Sequence, residues 1–150
     1  MSKNDLLSLL EKDHKDAKAL TQEIIANCEQ QKKVIAAKVI KLKDALTLHT
    51  KIEETYLYPQ AEQERETSRL VEEAYREHNE MKDLLKKLKE DGEPDEVAKY
   101  SKELLICVEH HVKEEEQELF PILRKLWSQE TLLELGDKML EMKDKELAGR

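Results

Sequence analysis

Apolar residues recur every three or four positions through most of this sequence, and histidines take some of the same positions. That spacing lines one face of an α-helix, where each residue advances about 100° around the axis. The first such series is Leu6, Leu10, His14, Ala17, Thr21 and Ile24. Only three glycines and three prolines interrupt 150 residues, and aromatics make up 4%. A chain with so few places to turn is built from long amphipathic helices rather than from strands.

The same spacing divides the chain. A first helix is predicted over about residues 4–27, with Ser2 and Asp5 forming a capping box. A second covers about 33–59 or slightly beyond, its inner face being Leu42, Ala45, Leu46, His49, Ile52, Glu53 and Tyr56. A third covers about 68–90, with Val71, Ala74, His78, Met81, Leu85 and Leu88 inward. A fourth covers about 95–120, with Val97, Tyr100, Leu104, Cys107, His111, Glu115 and Leu119 inward. Polar stretches at 29–32 and 60–66 are expected to turn the chain. Asp91-Gly92-Glu93-Pro94 is the clearest break, with Gly92 suited to a helix C′ position and Pro94 to the first turn that follows. Pro121 cannot donate to the Gln117 carbonyl, so it should kink or end the fourth helix. Leu132, Leu135, Met139 and Met142 mark a shorter fifth helix over about 128–145, packed by Trp127 and frayed at its end. The expectation is an all-α protein. An up-down-up-down four-helix bundle covers about residues 4–126, and a short C-terminal helix completes a single domain over 1–150.

Charge excludes some functions. The formal net charge is −8 with no basic stripe, so nucleic acid is not an expected partner. Lys and Glu alternate along each segment, as on solvated helix faces. No run approaches the length of about 18 apolar residues that spans a membrane. Met1-Ser2-Lys3-Asn4-Asp5 lacks a signal-peptide core, which leads to an expected cytoplasmic location. Cys28 and Cys107 lie inside helical patterns and make no disulfide framework.

An internal repeat carries the chemistry. His49-Thr-Lys-Ile-Glu53-Glu54 runs on to Tyr58-Pro59, and His111-Val-Lys-Glu-Glu115-Glu116 runs on to Phe120-Pro121. In each, Glu follows His by four, Pro follows by ten, and an aromatic precedes the Pro. Asp13-His14 and Glu77-His78 open a second pair of similar segments, at nearly the same offset. The chain therefore reads as two copies of a helical hairpin, each supplying one lone His and one His-x-x-x-Glu. Positions four apart on a helix differ by about 40° and lie about 6 Å apart along the axis, so each His and Glu of the motif point the same way. Rise from each turn is similar on both sides, which puts His14, His49, His78 and His111 in one layer. Buried carboxylates are costly unless paired or metal-bound. Glu53 and Glu115 among four imidazoles would attract a divalent cation, and nitrogen–oxygen ligation without thiolate suits iron or manganese. Two carboxylates can bridge two metals with the histidines capping them.

At these residues the chain resembles the hemerythrin-like, or HHE cation-binding, family. Its pattern of lone His, His-x-x-x-Glu, lone His and His-x-x-x-Glu is met by His14, His49 with Glu53, His78, and His111 with Glu115. The resemblance covers roughly residues 4–126. It implies a non-haem di-iron centre of two iron ions, bridged by the two glutamates and an oxo or hydroxo group, with dioxygen or a related small oxidant as partner. Members carry dioxygen, sense oxygen or iron, or process peroxide and nitric-oxide-derived damage. The family's oxygen carriers have a further His four residues before the one at 78, where this chain has Ala74. That departure favours sensing, redox turnover or iron handling over simple carriage.

Several neighbours have two readings. His110 with Glu114 is another His-x-x-x-Glu; the spacing to Pro121 selects His111 and leaves His110 beside the site or at the surface, the alternative being that it takes the place of His111. Glu54 and Glu116 lie about 100° from their neighbours and read as salt-bridge partners. Tyr56 reads as a core tyrosine that could instead hydrogen-bond a bound oxygen species, and Cys107 as a small core residue that could instead be a redox-sensitive thiol. Three functions remain open: a di-iron sensor or store, a di-iron enzyme (peroxide disproportionation, ferroxidase or iron–sulfur repair), and a metal-free helical interaction protein. A monomer or weak dimer is expected, with any signal passed through an unknown protein partner.

Overall fold

The computed structural model describes residues 4–148, and every element in it is helical. Helix α1 is Leu6–Asn27. Helix α2 covers residues 32–62: an α-helical Lys32–Ile52, a π turn Glu53–Leu57, and a last α-helical turn Tyr58–Glu62. Helix α3 is Ser68–Lys87. Helix α4 covers residues 94–126 and repeats the plan of α2, with α-helical Pro94–Glu114, a π turn Glu115–Leu119, and α-helical Phe120–Leu126. Helix α5 is Gln129–Ala148. The first four form the expected up-down-up-down bundle. α1 lies between α2 and α4, α3 packs on α4 and α2, and α5 lies across α1. At 20 residues α5 runs three beyond its expected end. No helix among the described residues is long and apolar enough to cross a membrane.

The ends of the elements depart from expectation in ways with physical causes. Asp5 itself caps α1, its carboxylate accepting the Ser8 amide hydrogen at 2.9 Å; Ser2, the other half of the expected capping box, lies outside the described residues. α3 stops at Lys87 with Leu88 extended, and no glycine among the described residues has positive φ, so Gly92 is not a C′ residue. Gly92 is instead closely approached. A Cβ there would lie 3.1 Å from the Lys89 carbonyl oxygen and 3.3 Å from a Val97 methyl. Pro94 does begin α4.

Pro121 neither ends nor breaks α4. The π turn ahead of it hydrogen-bonds the Phe120 amide to the Glu115 carbonyl, five residues back, and the helix continues to Leu126. Pro59 in α2 is preceded by the same arrangement, Tyr58 amide to Glu53 carbonyl. A π turn holds one residue more than an α turn. Everything beyond it is therefore rotated relative to an unbroken α-helix. Hence Tyr58, five residues after Glu53, is fully buried, while Tyr56, three after it and expected inward, is only half-buried. Ala45, also expected inward, is exposed and lines a groove, and Tyr100 and Cys107 are half-buried.

The core falls into two apolar clusters. One holds Leu6, Leu10, Ile52, Tyr58, Phe120 and Leu123 and is covered by Leu132, Leu135 and Met139 of α5, with Trp127 packed at its edge. The other holds Ile24, Val39, Leu42, Met81, Leu88 and Leu104. The histidine–glutamate positions fall between the two in sequence along every bundle helix.

α5 docks through a glycine. A Cβ at Gly136 would fall 2.0 Å from the Asn4 carbonyl oxygen, a backbone atom with no room to swing aside. Gly136→Ala should push α5 off the start of α1 and lower stability by about 1–3 kcal/mol, the usual cost of overpacking. The readout is the urea midpoint, and an unchanged midpoint would contradict so close a contact.

Candidate metal centre

Each of the four bundle helices turns an imidazole inward: His14 from α1, His49 from α2, His78 from α3 and His111 from α4. Glu53 and Glu115 stand one turn beyond His49 and His111, at the first position of each π turn. All six side chains are buried. Their ligand atoms form two groups that share Glu53: His14, His49, Glu53 and Glu115, and Glu53, His78 and His111, each group within 4.8 Å. Glu53 Oε1 lies 2.9 Å from His78 Nε2, 3.2 Å from His49 Nε2 and 3.4 Å from His111 Nε2. Glu115 Oε1 lies 3.1 Å from His14 Nε2 and 3.3 Å from His111 Nε2.

What aims the rings is a set of four outer carboxylates. Each imidazole gives its Nδ1–H to one: His14 to Glu116 at 2.7 Å, His49 to Asp13 at 3.0 Å, His78 to Glu54 at 2.7 Å and His111 to Glu77 at 2.8 Å. With Nδ1 the donor, every Nε2 presents a lone pair to the centre. The pattern obeys the repeat. Asp13 and Glu77 precede the lone histidines and hold the His of the next helix, while Glu54 and Glu116 follow the inner glutamates and hold the lone His of the other hairpin. Glu54 also pairs with Lys82 at 3.1 Å, and Asp13 with Lys143 of α5 at 2.5 Å.

The donor set suits a cation. His14 Nε2, His49 Nε2, Glu53 Oε2 and Glu115 Oε1 are buried without a hydrogen-bond partner. Nitrogen lone pairs facing carboxylate oxygens at about 3 Å repel unless a proton or a metal stands between them. Protons serve when no metal is bound. Burial opposes a charged His14, but the carboxylates of Glu115, Glu116 and Glu53 outweigh it and hold its pKa well above the ordinary value. His111 is likewise raised well above the ordinary value against burial, by Glu115, Glu53 and Glu77. His49 is raised by Glu53 and Asp13. Burial also opposes a charged Glu53, yet His49, His111 and His14 hold it well below the ordinary carboxylate range.

The two hairpins differ at one equivalent position. Tyr58 and Phe120, each just before a proline, both turn inward after their π turns. Phe120 stacks on His14 at 6.1 Å between centroids. Tyr58 brings a hydroxyl into the His78–His111 side of the layer. It donates to Glu115 Oε2 at 2.5 Å and lies 3.0 Å from His78 Nε2 and 3.2 Å from Glu53 Oε1. Burial and the carboxylates of Glu115 and Glu53 push its pKa well above the ordinary tyrosine value, so the phenol keeps its proton. Ala74 sits in the apolar cluster with Tyr58 and offers no ligand atom.

The remaining candidates take definite places. His110 is 61% exposed and lies outside the layer, which His111 occupies. Cys107 is half-buried one turn earlier, and burial with the nearby Glu80 carboxylate pushes its thiol up to about 11. Both cysteines are free thiols. A groove of about 620 Å³ between α1, α2 and α5 leads from the surface to Asp13 and His49. Spacing alone missed Asp13, Glu77 and Tyr58. The first two had a signal, an acidic residue ahead of each lone His in both copies.

Compared with known families, residues 5–124 match the model of the Hemerythrin family, described as the Hemerythrin HHE cation binding domain. No curated protein and no solved structure matches the chain.

The imidazole shifts fix how the metal-free protein should respond to pH. A histidine whose folded pKa is raised stabilises the fold fully below its unfolded value of 6.5 and loses that contribution as pH rises through the folded value. Glu53, held low, stabilises above 4.5 and loses its contribution as pH falls below that. Metal-free protein should therefore melt highest between about pH 4.5 and 6.5 and lose stability toward pH 9. Added metal, which needs neutral imidazoles, should raise the melting temperature most at the alkaline end. A melting temperature of the metal-free protein that rises steadily from pH 6 to 9 would contradict the geometry.

Proposed function

The chain belongs to the hemerythrin family of HHE cation-binding domains, and from that premise we propose that it is a non-haem di-iron protein that reacts with dioxygen or a related small oxidant. The observation that carries this reading is the buried layer itself: six side chains able to ligate a metal, in two groups joined by Glu53, with buried polar atoms that no hydrogen bond satisfies. His14, His49, Glu53 and Glu115 would hold one ion, and Glu53, His78 and His111 the other. Iron held there would supply one-electron chemistry and open coordination positions.

The chain's own residues set the terms of that chemistry. The four outer carboxylates hold each imidazole by Nδ1 and so keep its Nε2 pointed inward, where it could ligate a metal. The apolar clusters before and after the layer keep bulk water out, and the groove reaching His49 gives a small molecule a route in. Tyr58 holds a proton at its hydroxyl within reach of Glu115, Glu53 and His78. A buried proton donor at one end of the site supports redox turnover, such as peroxide reduction or ferrous iron oxidation, over carriage of an unchanged ligand.

The test is stopped-flow mixing of ferrous-loaded protein with dioxygen or peroxide. The reading predicts a saturable near-ultraviolet absorption change that Glu53→Ala abolishes. Tyr58→Phe should keep its metal yet slow the change by about 100-fold, the usual scale for losing a positioned acid. A rate no different from free ferrous iron would overturn the reading. A full rate in Tyr58→Phe would remove the tyrosine from it.

A further inference from the structure

Glu77 has two carboxylate oxygens, and the buried layer uses one. Oε1 accepts the His111 Nδ1–H at 2.8 Å. Oε2 faces the other way and has no hydrogen-bond partner, on a residue only 4% exposed. His110 Nε2 stands 3.1 Å from this oxygen and 3.1 Å from Glu114 Oε1. One imidazole nitrogen and two carboxylate oxygens thus converge within 4.8 Å of one another, outside the layer that His111 serves. We propose that Glu77, His110 and Glu114 form a second, outer cation site that takes an exchangeable divalent first-row ion, such as ferrous iron or zinc.

The geometry is that of a three-ligand site. His110 and Glu114 are one turn apart on α4 and point the same way, and Glu77 reaches across from α3. An imidazolium would have a single Nε2–H to share between two carboxylate oxygens at equal distance. A divalent ion accepts all three lone pairs together, that of the buried Oε2 among them. Ligation by one nitrogen and two oxygens suits zinc, iron, cobalt or manganese. The imidazole is 61% exposed, so water completes the coordination and the ion exchanges with solvent. The site opens on a groove of about 480 Å³ whose lining carries Glu80, Asp83 and Glu103 against Lys87, a field that draws cations. Because Glu77 serves both places, an ion on Oε2 withdraws charge from Oε1 and weakens its hold on His111. The outer ion would therefore tune the inner layer through one shared carboxylate.

The outer site stands independently of what the inner layer binds. The experiment is a Co(II) titration of iron-loaded protein, followed by visible d–d absorption and by calorimetry, on wild type, His110→Ala and Glu114→Gln. Both substituted side chains reach solvent, so neither change should unfold the chain. Wild type should bind one more Co(II) per chain than either variant, or bind it at least tenfold more tightly, with the same iron content in all three. Equal Co(II) stoichiometry and affinity in the three proteins would overturn the outer site, whatever the iron content proved to be.

Discussion

Six ionisable side chains lie buried in the interior of this bundle, and the rest of the structure is arranged around keeping them there. Two carboxylates and four imidazoles taken out of water would cost several kcal/mol each without partners. The outer carboxylates Glu116, Asp13, Glu54 and Glu77 hold each ring by its Nδ1–H, and so determine that Nε2 faces inward. Lys82 and Lys143 in turn hold two of those carboxylates near the surface. The chain of contacts thus runs from solvent-exposed lysine to central nitrogen. The apolar clusters before and after the layer supply the burial that pays for ordering it.

The π turns belong to the same design. Each begins at an inner glutamate and is followed by a proline that lacks an amide hydrogen. The added residue brings the fifth position after the glutamate onto the inner face, and this is how Tyr58 and Phe120 enter the site. Two hairpins with the same plan then differ in one atom that matters, the Tyr58 hydroxyl. The layer is near-symmetric in its ligands and asymmetric in its proton supply, and the departure at Ala74 falls on the same side as the phenol. The unused oxygen of Glu77 adds a second asymmetry, since Asp13 at the equivalent place is closed off by Lys143.

Much of this was legible in the sequence because it obeys helical spacing. The helices and the placing of His14, His49, Glu53, His78, His111 and Glu115 on one buried layer follow from intervals of three, four and ten residues. What escaped depends on features that spacing does not encode. Helical spacing puts Tyr56 on the inner face of α2, and the one residue that the π turn inserts leaves it half-buried and brings Tyr58 inward instead. Pro121 does not end α4, because the π turn ahead of it, a backbone rearrangement, absorbs the missing donor. Gly92 lies in close contact with Lys89 and Val97 and is not in the left-handed backbone region. Glu54 and Glu116 are the salt-bridge partners that the sequence suggests, but which ring nitrogen each carboxylate meets is decided across helices.

We propose that this layer holds two metal ions that share Glu53. Mössbauer spectroscopy of protein loaded with enriched iron, together with iron counted per chain, tests it most directly. The account predicts two irons per chain in one exchange-coupled pair. A single uncoupled iron per chain, or none after anaerobic ferrous loading, would contradict it.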